Sequence, residues 1–377
     1  MKVNNSVPQK KLNVINRKRC FFLSLAVLLV IGIMLSGCSP SPSTSSAPPA
    51  PEGETQADLP AIIGLGTHAV GGTYYACGSG LAKVLNDHLP IQVTVMPTGG
   101  PNAYMPLLQS GEIELGLMGG NDLSWAYTGG TGYDEAATNL RSLATGHRVA
   151  SIPLVVRVDS GITKVADLKG KKVGYGYGAN LELQEIITSC LIAVGLSWDD
   201  LQAIPIPDGS TGYQALQEGR VEATWGATPV GAQGLEVDSQ IPITALDFGD
   251  IPPEEAANAP AEVIAILHER LPASRLVSWE KQGILKNDAT LLVYNAWLGA
   301  SALLSADAAY EVVKCLYDYT EELHDQHVLL EEWERDKLFD PNPYAPYHEG
   351  AVRFWKEKGL WTEEAEANQQ RLLALLK

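Results

Sequence analysis

Residues 61–75 read AIIGLGTHAVGGTYY, and this stretch decides how the rest of the chain is interpreted. Its first four residues are mostly apolar and end at a glycine, which predicts a short buried strand. The glycine-rich loop 64–72 follows, and from about Thr73 to Asp87 apolar residues recur at the spacing of an amphipathic helix. The order strand, glycine loop and helix is typical of an α/β unit whose loop lies at the carboxyl end of the strand.

The same plan occurs twice along the chain. The first pass continues with a strand at 91–96, a loop at 97–100, a helix that ends at 108–111, a strand at 113–118 and a polar turn at 119–122. The second pass has a strand at 172–174, a loop at 174–180, a helix at 181–194, a strand at 201–206, a loop at 207–210, a helix that ends at 216–219 and a strand at 221–225. The sequences LQSGEIE at 108–114 and LQEGRVE at 216–222 occupy equivalent places in the two passes. The body of the protein is therefore interpreted as two units of one design.

Strands that alternate with helices predict an α/β fold with parallel sheets. Because each glycine loop follows a strand, the loops gather at the sheet edges where open α/β sheets bind ligands. We expect two lobes that face each other across a cleft and move about a hinge. Lobe I would comprise residues 58–152 and 291–377, lobe II residues 153–290, and the chain would cross between them at 152–158 and 290–294. The alternative is two α/β units that share no cleft.

Composition limits the class of protein. The chain has 377 residues, with 27 Lys and Arg against 44 Asp and Glu, and a formal net charge of −17. Nucleic-acid-binding proteins usually carry a clustered basic surplus, so we expect no nucleic-acid partner. Hydrophobic residues make up 45% of the chain, which is enough for two domains with cores of ordinary size.

The N-terminus is expected to be an export signal. Residues 1–19 hold six basic residues and no acidic one, and Cys20–Leu35 is a run of 16 residues without a charge. This run is short for a membrane-spanning helix, which needs about 20 apolar residues, and suits the core of a signal peptide. Leu35-Ser36-Gly37-Cys38 resembles the bacterial lipobox, so residues 1–37 would be removed and Cys38 would carry lipid such as palmitate. The alternative is a short transmembrane anchor with an incidental cysteine.

Residues 38–57 would then form the lipidated end and a tether. Ten of the nineteen residues from Ser39 to Ala57 are Ser or Pro and none is aromatic, a composition that cannot bury a core. Without residues 1–37 the net charge is −23. We expect the mature protein in the cell envelope, anchored by its lipid to the outer, periplasmic face of the cytoplasmic membrane.

The glycine loops suggest how a solute would be bound. A helix that begins in such a loop presents unpaired backbone N–H groups and the positive end of its dipole, which favour a carboxylate or a phosphate. We expect such helix ends near Thr73 in lobe I and near Asn180 in lobe II. Aromatic side chains beside the loops could stack on the solute, although core packing is their ordinary role. The candidate ligand-binding residues are Gly72, Thr73, Tyr74, Thr98, Gly99, Asn102, Asn121, Tyr177, Asn180, Trp225 and Thr228.

No motif indicates catalysis or a cofactor. Gly64 and Gly66 lack the third glycine of a dinucleotide fingerprint, because position 69 is Ala. The segment Asp208-Gly209-Ser210-Thr211-Gly212 lacks the first glycine of the Gly-x-Ser-x-Gly nucleophile motif. We therefore expect the protein not to be an enzyme and to use no cofactor.

The histidines and cysteines also have structural interpretations. His324 and His327 lie on an acidic helix face with no third ligand motif nearby, so no metal site is expected. His348 precedes the last helices and is expected to cap or pack. Cys77 and Cys190 share apolar helical stripes, which predicts core positions.

Several segments resemble those of the TAXI-type solute receptors of TRAP transporters. The specific ones are Gly71-Gly72-Thr73-Tyr74-Tyr75 and, near the C-terminus, Pro346-Tyr347-His348-Glu349-Gly350-Ala351. Thr98-Gly99-Gly100 and the sequence VADLKGK at 165–171 fit as well, and the resemblance runs in order from about residue 61 to residue 360. Two cleft loops depart from the pattern of that family, residues 119–122 and residues 174–180.

The resemblance implies a periplasmic-binding-protein-like fold of type II and a receptor that closes around a small carboxylate or acidic amino acid. It also implies a TRAP-type membrane permease as partner, driven by an ion gradient. The two departing loops leave the identity of the solute open. The alternatives are an exported enzyme on the same scaffold and a lipoprotein that senses a ligand and signals to a membrane kinase.

Overall fold

The computed structural model describes residues 59–375. The expected signal peptide, Cys38 and the tether lie outside these residues, so their roles remain predictions. Within 59–375, no helix combines the length and the apolar character that crossing a bilayer requires.

The first predicted pass folds as expected. Its elements are β1 (Ile62–Thr67), α1 (Thr73–His88), β2 (Gln92–Pro97), α2 (Pro101–Ser110), β3 (Leu115–Gly119) and α3 (Gly120–Thr128). Helix α2 ends at Gly111, whose left-handed backbone (φ 77°) is the conformation predicted from the glycine. Residues 119–122 differ from the prediction. They form the start of α3 rather than a turn, because Gly119 leaves β3 in an extended conformation that serves as the helix cap.

The second pass follows a long strand and repeats the plan. The elements from this strand onward are β4 (Leu140–Arg157), β5 (Lys172–Gly176), α4 (Leu181–Ala193), β6 (Gln202–Ile206), α5 (Gly209–Gln217), β7 (Ala223–Gly226) and α6 (Ala232–Gln240). The C-terminal part adds β8 (Ile243–Leu246), α7 (Ala261–Arg270), β9 (Arg275–Trp279), β10 (Ala289–Ser301), α8 (Ala306–Asp318), α9 (Thr320–His324), α10 (Glu349–Glu357) and α11 (Glu363–Ala374). Short 3-10 turns lie at Val158–Ser160, Val165–Leu168, Trp198–Asp200, Phe248–Asp250, Pro253–Asn258 and Val328–Glu332.

The strands form a mixed sheet in the order β2-β1-β3-β10-β4-β7-β5-β6, with β9 beside β10 and β8 beside β4. Within each pass the strands are parallel, as predicted, because a helix carries the chain back between neighbours. The predicted all-parallel pairing does not extend further. Strand β10 runs antiparallel to β3 and β4, and β4 runs antiparallel to β7, because these pairs lie outside the repeated strand–helix–strand units.

Strand β4 joins the two groups of strands. It pairs with β10 up to Ser151 and with β7 from Ile152 onward. It therefore changes partners at the residue where the chain was expected to pass from one lobe to the other. The predicted α/β class is confirmed, with two groups of strands joined by β4, while the lobe boundaries stay a prediction.

The repeated sequence motif performs the same task in both passes. The Glu114 carboxylate accepts a hydrogen bond from the backbone N–H of Gly64 at 2.7 Å, and the Glu222 carboxylate accepts one from Lys172 at 3.0 Å. Each glutamate precedes the third strand of its pass and holds the first strand. The equivalent positions of LQSGEIE and LQEGRVE thus reflect equivalent structure.

The cysteines lie in the core. Cys77, Cys190 and Cys315 are buried and form no disulfide. Burial raises the pKa of each thiol to about 12, which removes the thiolate needed for nucleophilic chemistry at neutral pH. The core positions predicted for Cys77 and Cys190 are confirmed.

The histidines singled out in the sequence make structural contacts. His348 is the N-cap of α10, and its Nδ1 accepts a hydrogen bond from the Gly350 N–H at 3.2 Å, so the predicted capping role is confirmed. His327 Nδ1 accepts from the Leu329 N–H at 3.2 Å in the same way. His324 Nε2 lies 3.4 Å from the carbonyl oxygen of Trp333.

Candidate functional site

A cavity lies where four helices begin. Its volume is about 70 Å³, and since a single water needs about 10–15 Å³ on this measure, it has room for roughly five waters or a small solute. The lining includes the N-cap residues of α1, α4, α5 and α6, namely Gly72, Asn180, Asp208 and Gly231. Helix α1 belongs to the first pass and the other three to the second, so both passes contribute to one cavity.

Two of these helix N-termini are already occupied by side chains. The Asp208 carboxylate accepts a hydrogen bond from the Thr211 N–H at 2.8 Å, which caps α5. The amide oxygen of Asn102 accepts one from the Leu181 N–H at 2.9 Å, which satisfies the first N–H of α4. These two helix ends therefore have fewer free N–H groups to donate to a solute.

The other two N-termini are uncapped. Gly72 and Gly231 have no side chain, and neither α1 nor α6 has a side-chain hydrogen bond at its N-cap. The N–H groups in the first turn of a helix have no partner within the helix, and the helix dipole makes that end positive. One available helix end from each pass thus borders the cavity, an arrangement suited to a small anion.

Four polar side-chain atoms around the cavity have no hydrogen-bond partner within residues 59–375. They are Nε2 of His68, the hydroxyl of Tyr74, the amide oxygen of Asn180 and the hydroxyl of Thr228. Tyr74, Asn180 and Thr228 are only 5%, 2% and 5% exposed. A buried polar atom without a partner is unfavourable, and a bound solute would supply the missing hydrogen bonds.

His68 is a cavity residue that sequence reasoning missed. Its ring stacks on that of Tyr74 with centroids 4.2 Å apart, and its Nε2 has no partner in the described part of the chain. Burial lowers its pKa to about 3, so the imidazole is neutral at neutral pH and offers one N–H donor. The one sequence feature that could have indicated His68 as a site residue is its position inside the glycine loop 64–72.

The cavity has no basic side chain to neutralise an anion. Among the described residues that line it, no Lys or Arg occurs, and Asp208 adds a negative charge. Recognition of an anion would therefore depend on backbone N–H groups, hydroxyls, amides and the neutral imidazole of His68.

Trp225 forms one wall. Its Nε1 donates to the Ser151 hydroxyl at 3.0 Å, which fixes the indole beside the point where β4 changes partners. Its ring is partly exposed at the cavity, so it can pack against a solute. Tyr294, Ser210 and Gln233 also line the cavity and were not among the predicted site residues.

The loops of the two passes touch beside the cavity. A Cβ added at Gly99 would lie 2.4 Å from the Cβ of Ala179, and one at Gly100 would lie 2.5 Å from the carbonyl oxygen of Ala179. Only glycine permits this approach, because real Cβ contacts are never so short. The structure therefore has the two loops in close contact.

The structure places most of the predicted site residues together. Gly72, Thr73, Tyr74, Gly99, Asn180, Trp225 and Thr228 all line the cavity. Thr98, Asn102 and Asn121 do not. The Thr98 hydroxyl donates to the carbonyl of Thr67 at 2.9 Å, Asn102 caps α4, and Asn121 lies in a buried network described below.

Tyr177 requires a correction. It was expected to face the cleft from a glycine-rich loop, but it is fully buried. Its hydroxyl lies 2.7 Å from the Thr224 hydroxyl and accepts a hydrogen bond from the Trp225 N–H at 3.2 Å. Tyr177 therefore supports the strand that carries Trp225 and does not line the cavity, because a left-handed backbone (φ 43°) turns this loop inward.

Comparison with known proteins gives a family match over most of the chain. A family model described as "NMT1-like family" matches residues 65–359, well over half of the sequence. Solved structures also match at low identity. The alkanesulfonate-binding protein SsuA from Xanthomonas axonopodis pv. citri bound to MOPS is 17% identical over 83% of this chain and 84% of its own, with a TM-score of 0.42.

Two other structures are similar to the same degree. The periplasmic aliphatic sulphonate binding protein SsuA from Escherichia coli is 15% identical over 83% of this chain and 92% of its own, with a TM-score of 0.40. PhnD1 from Prochlorococcus marinus (MIT 9301), in complex with methylphosphonate, is 10% identical over 80% of this chain and 100% of its own, with a TM-score of 0.46.

Proposed function

This chain belongs to the NMT1-like family, and on that premise we propose that it is an extracytoplasmic receptor that captures a small anionic solute. The solute would bind in the cavity between the two passes and be delivered to an importer in the membrane. A small carboxylate is the expected chemical class. In this proposal the lobes close around the solute, which is released when they open.

One observation carries the proposal. Two uncapped helix N-termini, one from each pass, border a cavity of about 70 Å³ around which four buried polar atoms of the described residues lack partners. A solute that satisfies groups from both passes would stabilise the closed form in proportion to its preference for that form. The size of the cavity favours a compact oxyanion over a large ligand.

The proposal also includes the class of importer that receives the solute. The segments at 71–75 and 346–351 resemble TAXI receptors, which favours a TRAP-type permease, whereas membership of the NMT1-like family does not by itself favour one class of importer. Uptake by cells that contain the receptor and its importer would separate the classes. Dependence on an ion gradient with ATP depleted would support a TRAP-type partner, and dependence on ATP would contradict it.

The experiment is a thermal-shift panel on the purified protein. It contains acetate, succinate, glutamate, methanesulfonate, methylphosphonate and sulfate, with acetamide as the uncharged counterpart of acetate. A solute at 100 times its Kd stabilises the folded state by about 2.7 kcal/mol, because it binds only that state. We expect at least one of the anions to raise the melting temperature and acetamide to leave it unchanged.

The panel can also refute the proposal. If no anion shifts the melting temperature, or if only neutral compounds do, the anion class is wrong. Native mass spectrometry of the untreated protein would reveal a solute retained during purification. Small-angle scattering with the stabilising anion should give a smaller radius of gyration, and an unchanged radius with tight binding would contradict closure.

A further inference from the structure

A second contact between the passes lies beside the cavity, at the first turn of α4. Asn121, at the start of α3, donates from Nδ2 to the Glu182 carboxylate of α4 at 2.8 Å and to the Ser274 hydroxyl at 2.8 Å. Its amide oxygen accepts from the Ala273 N–H at 2.8 Å. Residues 119–122 are one of the two loops that depart from the TAXI pattern, and here they bind two segments of the predicted lobe II.

Glu182 reaches this contact because of a glycine. A Cβ added at Gly119 would lie 2.9 Å from both carboxylate oxygens of Glu182 and 2.9 Å from the ring of Tyr294. Glu182 is only 1% exposed. Any larger residue at position 119 would keep the carboxyl group of α4 out of this position.

A second buried acid lies in the same contact. Asp122 is 0% exposed, and neither of its carboxylate oxygens has a hydrogen-bond partner in the described residues. Burying a charged carboxylate without donors is strongly unfavourable, so such a group is kept neutral by a proton. The contact between the passes therefore has one acid that accepts a hydrogen bond from the Asn121 side chain and another that has no side-chain donor among the described residues. The backbone N–H of Gly119 lowers the pKa of Asp122, but burial raises it more.

The surroundings of the two acids contain no basic group that influences them. The charges of Asp122 and Glu182 raise the pKa values of four surrounding phenols, those of Tyr74, Tyr104, Tyr133 and Tyr294, which come from α1, α2, the segment after α3, and β10. Of the two acids, Glu182 acts on Asp122. Burial, followed by the charge of Glu182, raises the pKa of Asp122 well above its usual range. Burial also raises the pKa of Glu182 to about 7, although Asn121 opposes this.

We propose that Asp122 and Glu182 form a proton-linked latch that holds the two passes together. Closing brings the two acids into one buried contact that keeps a proton, and opening returns both to water, where they ionise. The inference rests on the proposed function for the opening of the lobes. It predicts that the closed form, and with it solute affinity, weakens as pH rises.

The pKa values of both acids are raised in the closed form, and this determines how closure depends on pH. An acid whose pKa is raised in the closed form favours closure at low pH, and this contribution is lost as pH rises through the raised pKa. If one proton is released on opening, the equilibrium constant for closure falls by up to tenfold for each pH unit in that interval.

The test measures opening without any solute. Hydrogen exchange of the full chain in detergent micelles would be followed from pH 6 to pH 9 and corrected for the intrinsic exchange rate at each pH. We expect protection of peptides covering 119–126 and 180–187 to fall with pH by up to tenfold per unit, while peptides from α8 stay unchanged. The variant Asp122→Asn should make the profile shallower, because only one of the two buried acids is then left to bind a proton. The matched control Asp87→Asn, an exposed acid on α1, should keep the wild-type slope.

Several outcomes would overturn the latch. A flat wild-type profile refutes it without any variant, and so does an Asp122→Asn profile as steep as wild type. If Asp122→Asn fails to fold, Glu182→Gln provides the same test, since it removes the partner acid and keeps the shape. A pH-dependent profile together with a failed solute panel would refute the proposed function and leave the latch standing, and the reverse result would refute only the latch.

Discussion

Gly72 illustrates how the absence of a side chain can create a binding group. Most helices begin with Ser, Thr, Asp or Asn, whose side chain accepts a hydrogen bond from the first turn. At Gly72 that position is empty, so the first-turn N–H groups of α1 border the cavity without a competitor. A carboxylate placed at residue 72 would occupy the place that we assign to the solute.

We therefore predict that Gly72→Asp weakens anion binding without loss of stability. The new carboxylate would cap α1 and repel a bound anion, while its Cβ would lie 3.1 Å from the Ala69 carbonyl, which needs only a small shift. Affinity for the anion found in the panel should fall by about tenfold or more, which equals about 1.4 kcal/mol. Isothermal titration calorimetry and thermal unfolding would measure the two effects.

Gly72→Asn is the matched control for charge. Its amide can cap the helix but does not repel an anion, so we expect a smaller loss of affinity than with Asp. Equal binding by wild type and both variants would show that the α1 terminus takes no part in the site.

Tyr177 permits a second prediction at this scale. Tyr177→Phe removes a buried hydroxyl and leaves the Thr224 hydroxyl and the Trp225 N–H without their partner. The free energy of unfolding should fall by about 1–3 kcal/mol, as for other buried groups that lose a hydrogen bond. Urea denaturation would measure it. Tyr175→Phe is the control, since Tyr175 is 41% exposed and its change should stay within about 0.5 kcal/mol.

At the scale of elements, Glu114 and Glu222 explain why the repeat could be recognised in the sequence. Glu114 and Glu222 each fix the register between two strands of one pass, and their sequence surroundings are alike because the local geometry is alike. Lys171 lies beside Glu222, with Nζ 3.2 Å from the carboxylate, and has no counterpart at Glu114 among the ion pairs of residues 59–375. The two tethers thus differ in electrostatics while sharing a backbone contact.

Glu222→Gln should reduce stability at neutral pH and lose this effect in acid. The N–H of Lys172 and the charge of Lys171 hold the pKa of Glu222 below its usual value. The ionised form therefore stabilises the fold above that usual value, and the contribution disappears as pH falls through the lowered pKa. Urea midpoints of wild type and variant should differ at pH 7 and converge near pH 3. A difference that is constant with pH, or the same behaviour in the exposed control Glu236→Gln, would contradict this role.

Helices and strands could be predicted where they depend on neighbouring residues in the sequence. Contacts between distant segments could not. Apolar spacing and terminal glycines predict α1, α2 and α4 to within a residue or two, because a helix buries a stripe that its own sequence defines. The burial of Tyr177 and the contact of Asn121 with Glu182 depend on which distant segments meet. His68 shows the same limit, since no residue near it in sequence indicates that Tyr74 will stack on its ring.

At the scale of the whole molecule, the net charge opposes the proposed solute. The chain carries a net charge of −17, while the cavity is suited to an anion. Long-range repulsion slows the approach of an anion and is screened by salt, with a Debye length of about 8 Å at 0.15 M.

We predict that the association rate of the bound anion rises with ionic strength while its dissociation rate stays nearly constant. Stopped-flow fluorescence, with Trp225 as the reporter beside the cavity, would measure both. An association rate that falls with salt would indicate a positive local field at the cavity that outweighs the net charge.

Attachment to the membrane is also a property of the whole chain. Cys38→Ser should move the protein from the membrane fraction to the soluble exported fraction, because the expected lipid is its only durable anchor. Fractionation and mass determination of the N-terminus would test this. If the variant stays in the membrane with residues 1–37 attached, these residues act as a transmembrane anchor.

The contact of Gly99 and Gly100 with Ala179 can change the affinity of a receptor for its solute without changing which solute it selects. Selectivity belongs to atoms that touch the solute, but the apparent Kd also depends on the fraction of molecules already in the competent form. A single methyl group at position 100, which does not line the cavity, would act as a spacer between the loops, with the carbonyl oxygen of Ala179 only 2.5 Å away, and would lower that fraction without contacting the solute. Evolution could therefore match such a receptor to scarce or abundant supplies of the same compound by changing one residue outside the recognition surface.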